Sequence, residues 1–205
     1  MRVSRMDRAP RPIQLAVLIS GSGSTLQNFI DQIAAGKLNA KIGIVIASRP
    51  GILGIERAKK AGLNCEIIER KKFASEEEFS RAIFERCAGV DLVCLAGWLS
   101  HLTIPPEFVG RVMNIHPALL PEFGGKGMYG LRVHQAVLDK GRKMSGCTVH
   151  FVDDEYDHGS IVIQLRCPVL PGDTAASLAH RVFQKEKIAY PKAIRKIQKG
   201  LRDFF

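Results

Sequence analysis

Three stretches of this chain are apolar almost without interruption: QLAVLIS (14–20), KIGIVIAS (41–48) and VDLVCLAGW (90–98). A strand with one wet face alternates apolar and polar residues, whereas a strand covered on both faces reads as a continuous apolar run. These runs therefore call for a sheet with helices over both sides. LNCEII (63–68) and RVMNIH (111–116) add two shorter strands. Helical patterns lie between them: STLQNFIDQIAAG, with Leu26, Phe29, Ile30 and Ile33 at helical spacing, then GIERAKKAG and SEEEFSRAIFERCAG. All three end in glycine, a common helix stop, and Ser75 with Glu78 forms a capping-box pattern. Strand–helix alternation implies right-handed crossovers and a doubly wound α/β sheet, mostly parallel.

After residue 145 the rhythm changes. CTVHFVDD and SIVIQLRCPVL are adjacent strands joined by a short polar loop, which predicts an antiparallel C-terminal extension of the sheet. A long closing helix over about 174–199 is expected, interrupted or kinked by Pro191. With 205 residues and no repeat or linker, the expectation is one domain over 14–205 behind a flexible tail, residues 1–13.

The net charge of +10 favours an anionic partner. Its lysines and arginines are dispersed without an aromatic stacking platform, so a small anion is expected rather than nucleic acid. The five cysteines include no CxxC pair, which argues against a zinc knuckle or a disulfide framework. The six-residue run LAVLIS is too short for a signal-peptide core or a membrane span, and a cytoplasmic protein is expected.

In open α/β sheets ligands bind outside the carboxyl ends of the strands. The first strand runs into SGSGSTLQ (20–27), where Gly21 and Gly23 permit a tight turn and the following helix offers free N–H groups to an anion. A dinucleotide fingerprint would need a third glycine at Leu26, and a Walker loop would need Gly-Lys-Ser/Thr. A monophosphate fits best, with a structural turn or another nucleotide as alternatives. At the later strand end, Asn114 and His116 project from one face about 6.6 Å apart before Pro117 stops the ladder. A lone pair of this kind is commonly a capping group. The acidic loop FVDDEYDHGSIVIQ (151–164) changes the balance, because a carboxylate from it would raise the pKa of the histidine and favour its charged form. The loop's carboxylates alone are a weak metal signal, and no metal is expected. His101, His134, His150, His158 and His180 lack a polar partner on their own strand face and are read as surface, core or secondary pocket groups.

With LISGSGSTLQ, LAGW, NIHPALLP, VHFVDDEYDHGSIVIQ and VFQKEKIAYP in this order, the chain resembles the 10-formyltetrahydrofolate-dependent phosphoribosylglycinamide formyltransferases over about residues 14–200. The resemblance implies formyl transfer from 10-formyltetrahydrofolate, a co-substrate, to glycinamide ribonucleotide in purine biosynthesis. The partners it implies are these small molecules, without nucleic acid or membrane, for a monomer or homodimer. It implies that Gly23, Ser24, Thr25, Leu26 and Gln27 cradle the ribose phosphate. Phe183, Gln184, Lys185 and Glu186 would complete that site. Leu99, Ser100, His101 and Leu102 would line the folate pocket, with Asp153, Asp154, Glu155, Tyr156 and Asp157 forming a loop over the pterin. Asn114, which also borders the folate, His116 and Asp157 would be the catalytic three. The chain departs from the pattern at Ser100 and Glu76, where many members carry basic folate contacts. Its segment PEFGGKGMYGLRVH (121–134) is longer than usual and reads as a mobile lid.

Rival readings are a formyltetrahydrofolate hydrolase, expected to carry an extra N-terminal domain, and a methionyl-tRNA formyltransferase, expected to carry a further C-terminal one. A non-catalytic phosphate-binding module would keep the glycine loop without needing Asn114, His116 and Asp157.

Overall fold

A computed structural model describes residues 11–202. Seven strands form one sheet in the order β3-β2-β1-β4-β5-β6-β7. These are β1 (Ile13–Ile19), β2 (Ala40–Ala47), β3 (Cys65–Ile67), β4 (Leu92–Leu95), β5 (Val112–His116), β6 (Met144–Phe151) and β7 (Ile161–Pro168). The first five are parallel, and β6 and β7 run antiparallel to their neighbours, as the change of rhythm after residue 145 predicts. The helices are α1 (Ser24–Ala34), α2 (Leu53–Lys60), α3 (Glu76–Arg86), α4 (Leu131–Asp139) and α5 (Ala175–Arg202).

The continuous apolar strands are buried on both faces. Along β1, Leu15, Val17 and Ile19 join Phe29 of α1, Ile55 of α2, Val137 of α4 and Tyr190 of α5 in one core layer. Ala16 and Leu18 point the other way, into a layer with Phe79 and Ile83 of α3 and with Trp98. Each buried Leu, Ile or Phe contributes about 1.5–3 kcal/mol of transfer free energy, so the two layers supply most of the drive for this arrangement. Ser75 caps α3 by accepting from the Glu78 N–H at 3.2 Å, as the capping-box pattern predicts.

Three expectations are corrected. The closing helix runs unbroken from Ala175 to Arg202 with Pro191 inside it. Proline removes the N–H that would have met the Lys187 carbonyl four residues earlier. The Asn28 side-chain amide of α1 donates to that carbonyl instead, at 3.0 Å. The segment 121–134 is not loop throughout, because α4 begins at Leu131 and buries Val133, His134 and Val137. Residues before 14 also belong to the folded domain: Arg11 makes two 2.7 Å bonds to the Asp91 carboxylate, and Ile13 opens β1. The remainder of the expected tail, residues 1–10, lies outside the described residues. Among the described residues, no helix is long and apolar enough to cross a membrane.

The strand order reverses between β1 and β4, which opens a crevice at their carboxyl ends. Tyr190 of α5 fixes this edge from below: its hydroxyl approaches the carbonyls of Met113 at 2.7 Å and Leu95 at 3.2 Å.

Candidate active site

A cavity of about 610 Å³ opens at that crevice. Its walls come from the β1–α1 loop, the segment after β4, the end of β5, the glycine-rich segment 125–130 and the β6–β7 loop.

The β1–α1 loop is shaped by contact. Gly23, at φ +69°, precedes α1, and a Cβ there would lie 2.6 Å from the Gly54 Cα. Only glycine fits this left-handed position against the α2 backbone. Gly23, Ser24 and Thr25 face the cavity at the positive end of α1. Leu26 is fully buried in the core, and the Gln27 side chain is held by Arg57 at 3.1 Å and Asp31 at 2.8 Å, so neither lines the cavity.

At the end of β5, Asn114 and His116 do share one face, and the β6–β7 loop brings Asp157 to both. Asn114 Nδ2 donates to Asp157 Oδ1 at 3.3 Å, and His116 Nδ1 lies 3.3 Å from Asp157 Oδ2. Asp157 sits in a left-handed conformation (φ 56°) that an aspartate tolerates better than most residues, and it also accepts from the Gly125 N–H at 3.0 Å. The other nitrogen of His116, Nε2, faces the Phe123 carbonyl at 2.7 Å. A carbonyl only accepts, so Nε2 carries the proton.

The electrostatics differ from expectation. Burial lowers the His116 pKa below its usual value, outweighing the opposing pull of Asp157 and the Phe123 carbonyl, with His150 adding to the depression. The carboxylate was expected to win; it does not, because the imidazole is only 3% exposed and loses its hydration. For Asp157, burial pushes upward, yet the His150 hydrogen bond, the His116 charge and the Gly125 amide together hold it below the usual carboxylate range.

One further site neighbour comes from β6, a secondary pocket group. His150 of β6 stands directly opposite Asn114 in the antiparallel ladder. Its Nδ1 donates to the Phe151 carbonyl at 2.7 Å, and its Nε2 lies 3.3 Å from Asn114 Nδ2 and 3.5 Å from Asp157 Oδ1. Alternation along a single strand does not show this partner, because it lies across the β5–β6 pair. Thr148, on the same face of β6, braces the turn after His116 by donating to the Ala118 carbonyl at 2.7 Å and accepting from the Leu120 N–H at 3.1 Å.

The remaining expected residues divide. Leu99, Ser100, His101, Leu102, Asp153, Glu155, Tyr156 and Glu186 line the cavity. His101 bridges two walls, with Nδ1 2.6 Å from Glu76 Oε1 and Nε2 3.2 Å from the Asp154 carbonyl. Asp154, Phe183, Gln184 and Lys185 do not line it; Phe183 lies under the Lys187 ammonium, and Gln184 lies 3.4 Å from His180. The Glu186 carboxyl is desolvated although the residue as a whole is partly covered, and burial pushes its pKa up to about 7. Among the described residues, no three His, Cys, Asp or Glu side chains are placed to hold a metal ion.

A family profile described as formyl transferase matches residues 13–194. The chain belongs to the formyl transferase family. Phosphoribosylglycinamide formyltransferase of Haemophilus influenzae is 37% identical over 191 residues, covering 91% of this chain and 88% of that protein. A trifunctional purine biosynthetic protein of Drosophila melanogaster is 42% identical over 193 residues, and the chain spans 14% of its length. The crystal structure of glycinamide ribonucleotide transformylase 1 from Symbiobacterium toebii superposes with a TM-score of 0.84 at 39% identity, covering 92% of this chain and 89% of that one. This formyl transferase therefore shares its mixed sheet, parallel through β5 and antiparallel beyond it, with solved relatives.

Proposed function

We propose that this formyl transferase moves the formyl group of 10-formyltetrahydrofolate onto the amine of glycinamide ribonucleotide. The names of the Haemophilus and Symbiobacterium relatives support that acceptor. The observation that carries the reading is the meeting of Asn114, His116 and Asp157 in a cavity that also reaches the glycine loop.

Phosphate of the acceptor binds at Gly23, Ser24 and Thr25, where N–H groups and hydroxyls at the start of α1 meet its charge. Its amine is thereby held near His116. The folate enters between residues 99–102 and the 153–157 loop. The amine attacks the formyl carbon, a new N–C bond forms, and negative charge collects on the formyl oxygen. Hydrogen bonds from Asn114 and from His116 stabilise that oxygen, each such donor contributing roughly 2.7–4 kcal/mol to barrier lowering. In the free protein these donors are engaged, Nε2 of His116 by Phe123 and the Asn114 amide by Asp157. Substrate must displace them. Burial disfavours the charged imidazole until then; an oxyanion against Nε2 and the Asp157 carboxylate against Nδ1 together favour its charged form. The amine proton passes to N10 of the folate, directly or through water, as the C–N10 bond breaks. Products are the N-formyl acceptor and tetrahydrofolate.

The test is an assay of formyl release from 10-formyltetrahydrofolate with glycinamide ribonucleotide, with water alone and with charged initiator tRNA. Turnover is expected with the ribonucleotide. Equal release in its absence identifies a hydrolase and overturns the reading.

A further inference from the structure

Arg57 of α2 does not line the cavity, yet it grips the back of the phosphate cradle. Its Nε donates to the Ser22 carbonyl at 2.9 Å, and its Nη1 donates to Gln27 Oε1 at 3.1 Å. One guanidinium thus spans both ends of the turn, from the residue before Gly23 to the first turn of α1. Gln27 is fixed in turn by its 2.8 Å bond to Asp31. The arginine stem packs where a Gly23 side chain would be: a Cβ there would lie 3.4 Å from Arg57 Cδ. Nearby, the Gly54 N–H donates to the Gly21 carbonyl at 3.2 Å, so α2 holds the loop by backbone as well.

The charge of this group is unanswered. Among the described residues, no carboxylate forms an ion pair with Arg57, whereas its helix neighbour Glu56 is taken by Lys59 at 3.8 Å. A half-buried cation without a counter-ion, directly behind N–H groups that await an anion, strengthens their field at that point.

We infer that Arg57 is the positioning residue of the phosphate cradle, holding Ser22 and Gln27 in register while its uncompensated charge tunes the site for a phosphate dianion. This rests on the proposed acceptor carrying its phosphate at Gly23, Ser24 and Thr25. The fork matters as well as the charge: an ammonium at the end of a lysine cannot hold the Ser22 carbonyl and Gln27 Oε1 in the same planar geometry.

The experiment compares wild type with Arg57→Met, Arg57→Lys and Arg57→Gln. Ribose 5-phosphate binding is measured by calorimetry, together with KM for each substrate and kcat. Arg57→Met is expected to weaken ribose 5-phosphate binding and raise the ribonucleotide KM by the same factor, roughly 10- to 100-fold. Folate KM and kcat are expected to stay within about twofold. Arg57→Lys recovers only part of the loss, and Arg57→Gln serves if the methionine variant fails to fold. Unchanged ribose 5-phosphate affinity overturns the inference, and so does an equal loss of both substrates, the mark of a merely structural role. A wild type whose ribose 5-phosphate affinity depends on Arg57 but which does not formylate the ribonucleotide overturns the acceptor assignment and leaves this inference standing.

Discussion

The two halves of the cavity wall are built in different ways. On the β1 side the chain is held by steric contact and backbone hydrogen bonds: Gly23 against Gly54, and the Gly54 N–H on the Gly21 carbonyl. On the β5–β7 side the wall is held by titratable side chains, with Asp157 gathering Asn114, His116, His150 and the Gly125 N–H. A wall of the first kind keeps its form as pH changes. One of the second kind changes with its protons, which suits the side where the proposed transfer would create and destroy charge.

The largest break in this contrast is Asp157→Ala. It removes the acceptor for Asn114 and Gly125 and the counter-charge of His116 together, and kcat is expected to fall about 10²- to 10³-fold. The ribonucleotide KM should move little, since the other wall is untouched; steady-state kinetics at saturating folate gives both numbers. Next is Gly54→Ala. A methyl there would sit 2.6 Å from Ile19 Cδ1 and 3.1 Å from the Gly21 carbonyl, which costs about 1–3 kcal/mol of overpacking. Urea denaturation should register that loss, and the ribonucleotide KM should rise while kcat holds.

Glu186 sharpens the contrast through pH. Burial raises its pKa from 4.5 to about 7, so the folded chain keeps a proton that the unfolded chain gives up near 4.5. Stability from this group is complete below 4.5 and lost as pH rises through 7. Glu186→Gln should therefore gain on wild type in melting temperature across that window and run parallel to it above about 8. Thr148→Val orphans the buried Ala118 carbonyl and the Leu120 N–H, at about 1–3 kcal/mol for each group. Its activity loss should appear in kcat, because the turn it braces follows His116.

The two walls were also unequally legible in the sequence. Gly23, Ser24 and Thr25 announce themselves, because a glycine turn entering a helix is a local pattern. The same holds for strands β1, β2 and β4, whose apolar runs need no partner to be recognised. Helix α4 was absorbed into the preceding loop, since its buried face includes His134 and it follows four glycines. The tie of His150 to Asn114 is not legible in the sequence, because the two stand across a strand pair and not along one strand. The His116 pKa ran opposite to expectation, for a carboxylate can be read from a loop but the depth of burial cannot. The Gln27 side chain is tied to Arg57, a residue 30 positions on that no motif connects to it.

The proline of α5 has a consequence for measurement inside the crevice. The acceptor left vacant at Lys187 is filled from α1, so the helix that opens behind the glycine loop and the helix that carries Glu186 are stitched to one another one residue from that carboxyl. The width of the crevice between the glycine loop and Glu186 is thereby gauged in part by one side-chain amide, alongside the Phe29–Tyr190 ring contact, and cutting that stitch at Asn28 lets the gauge drift.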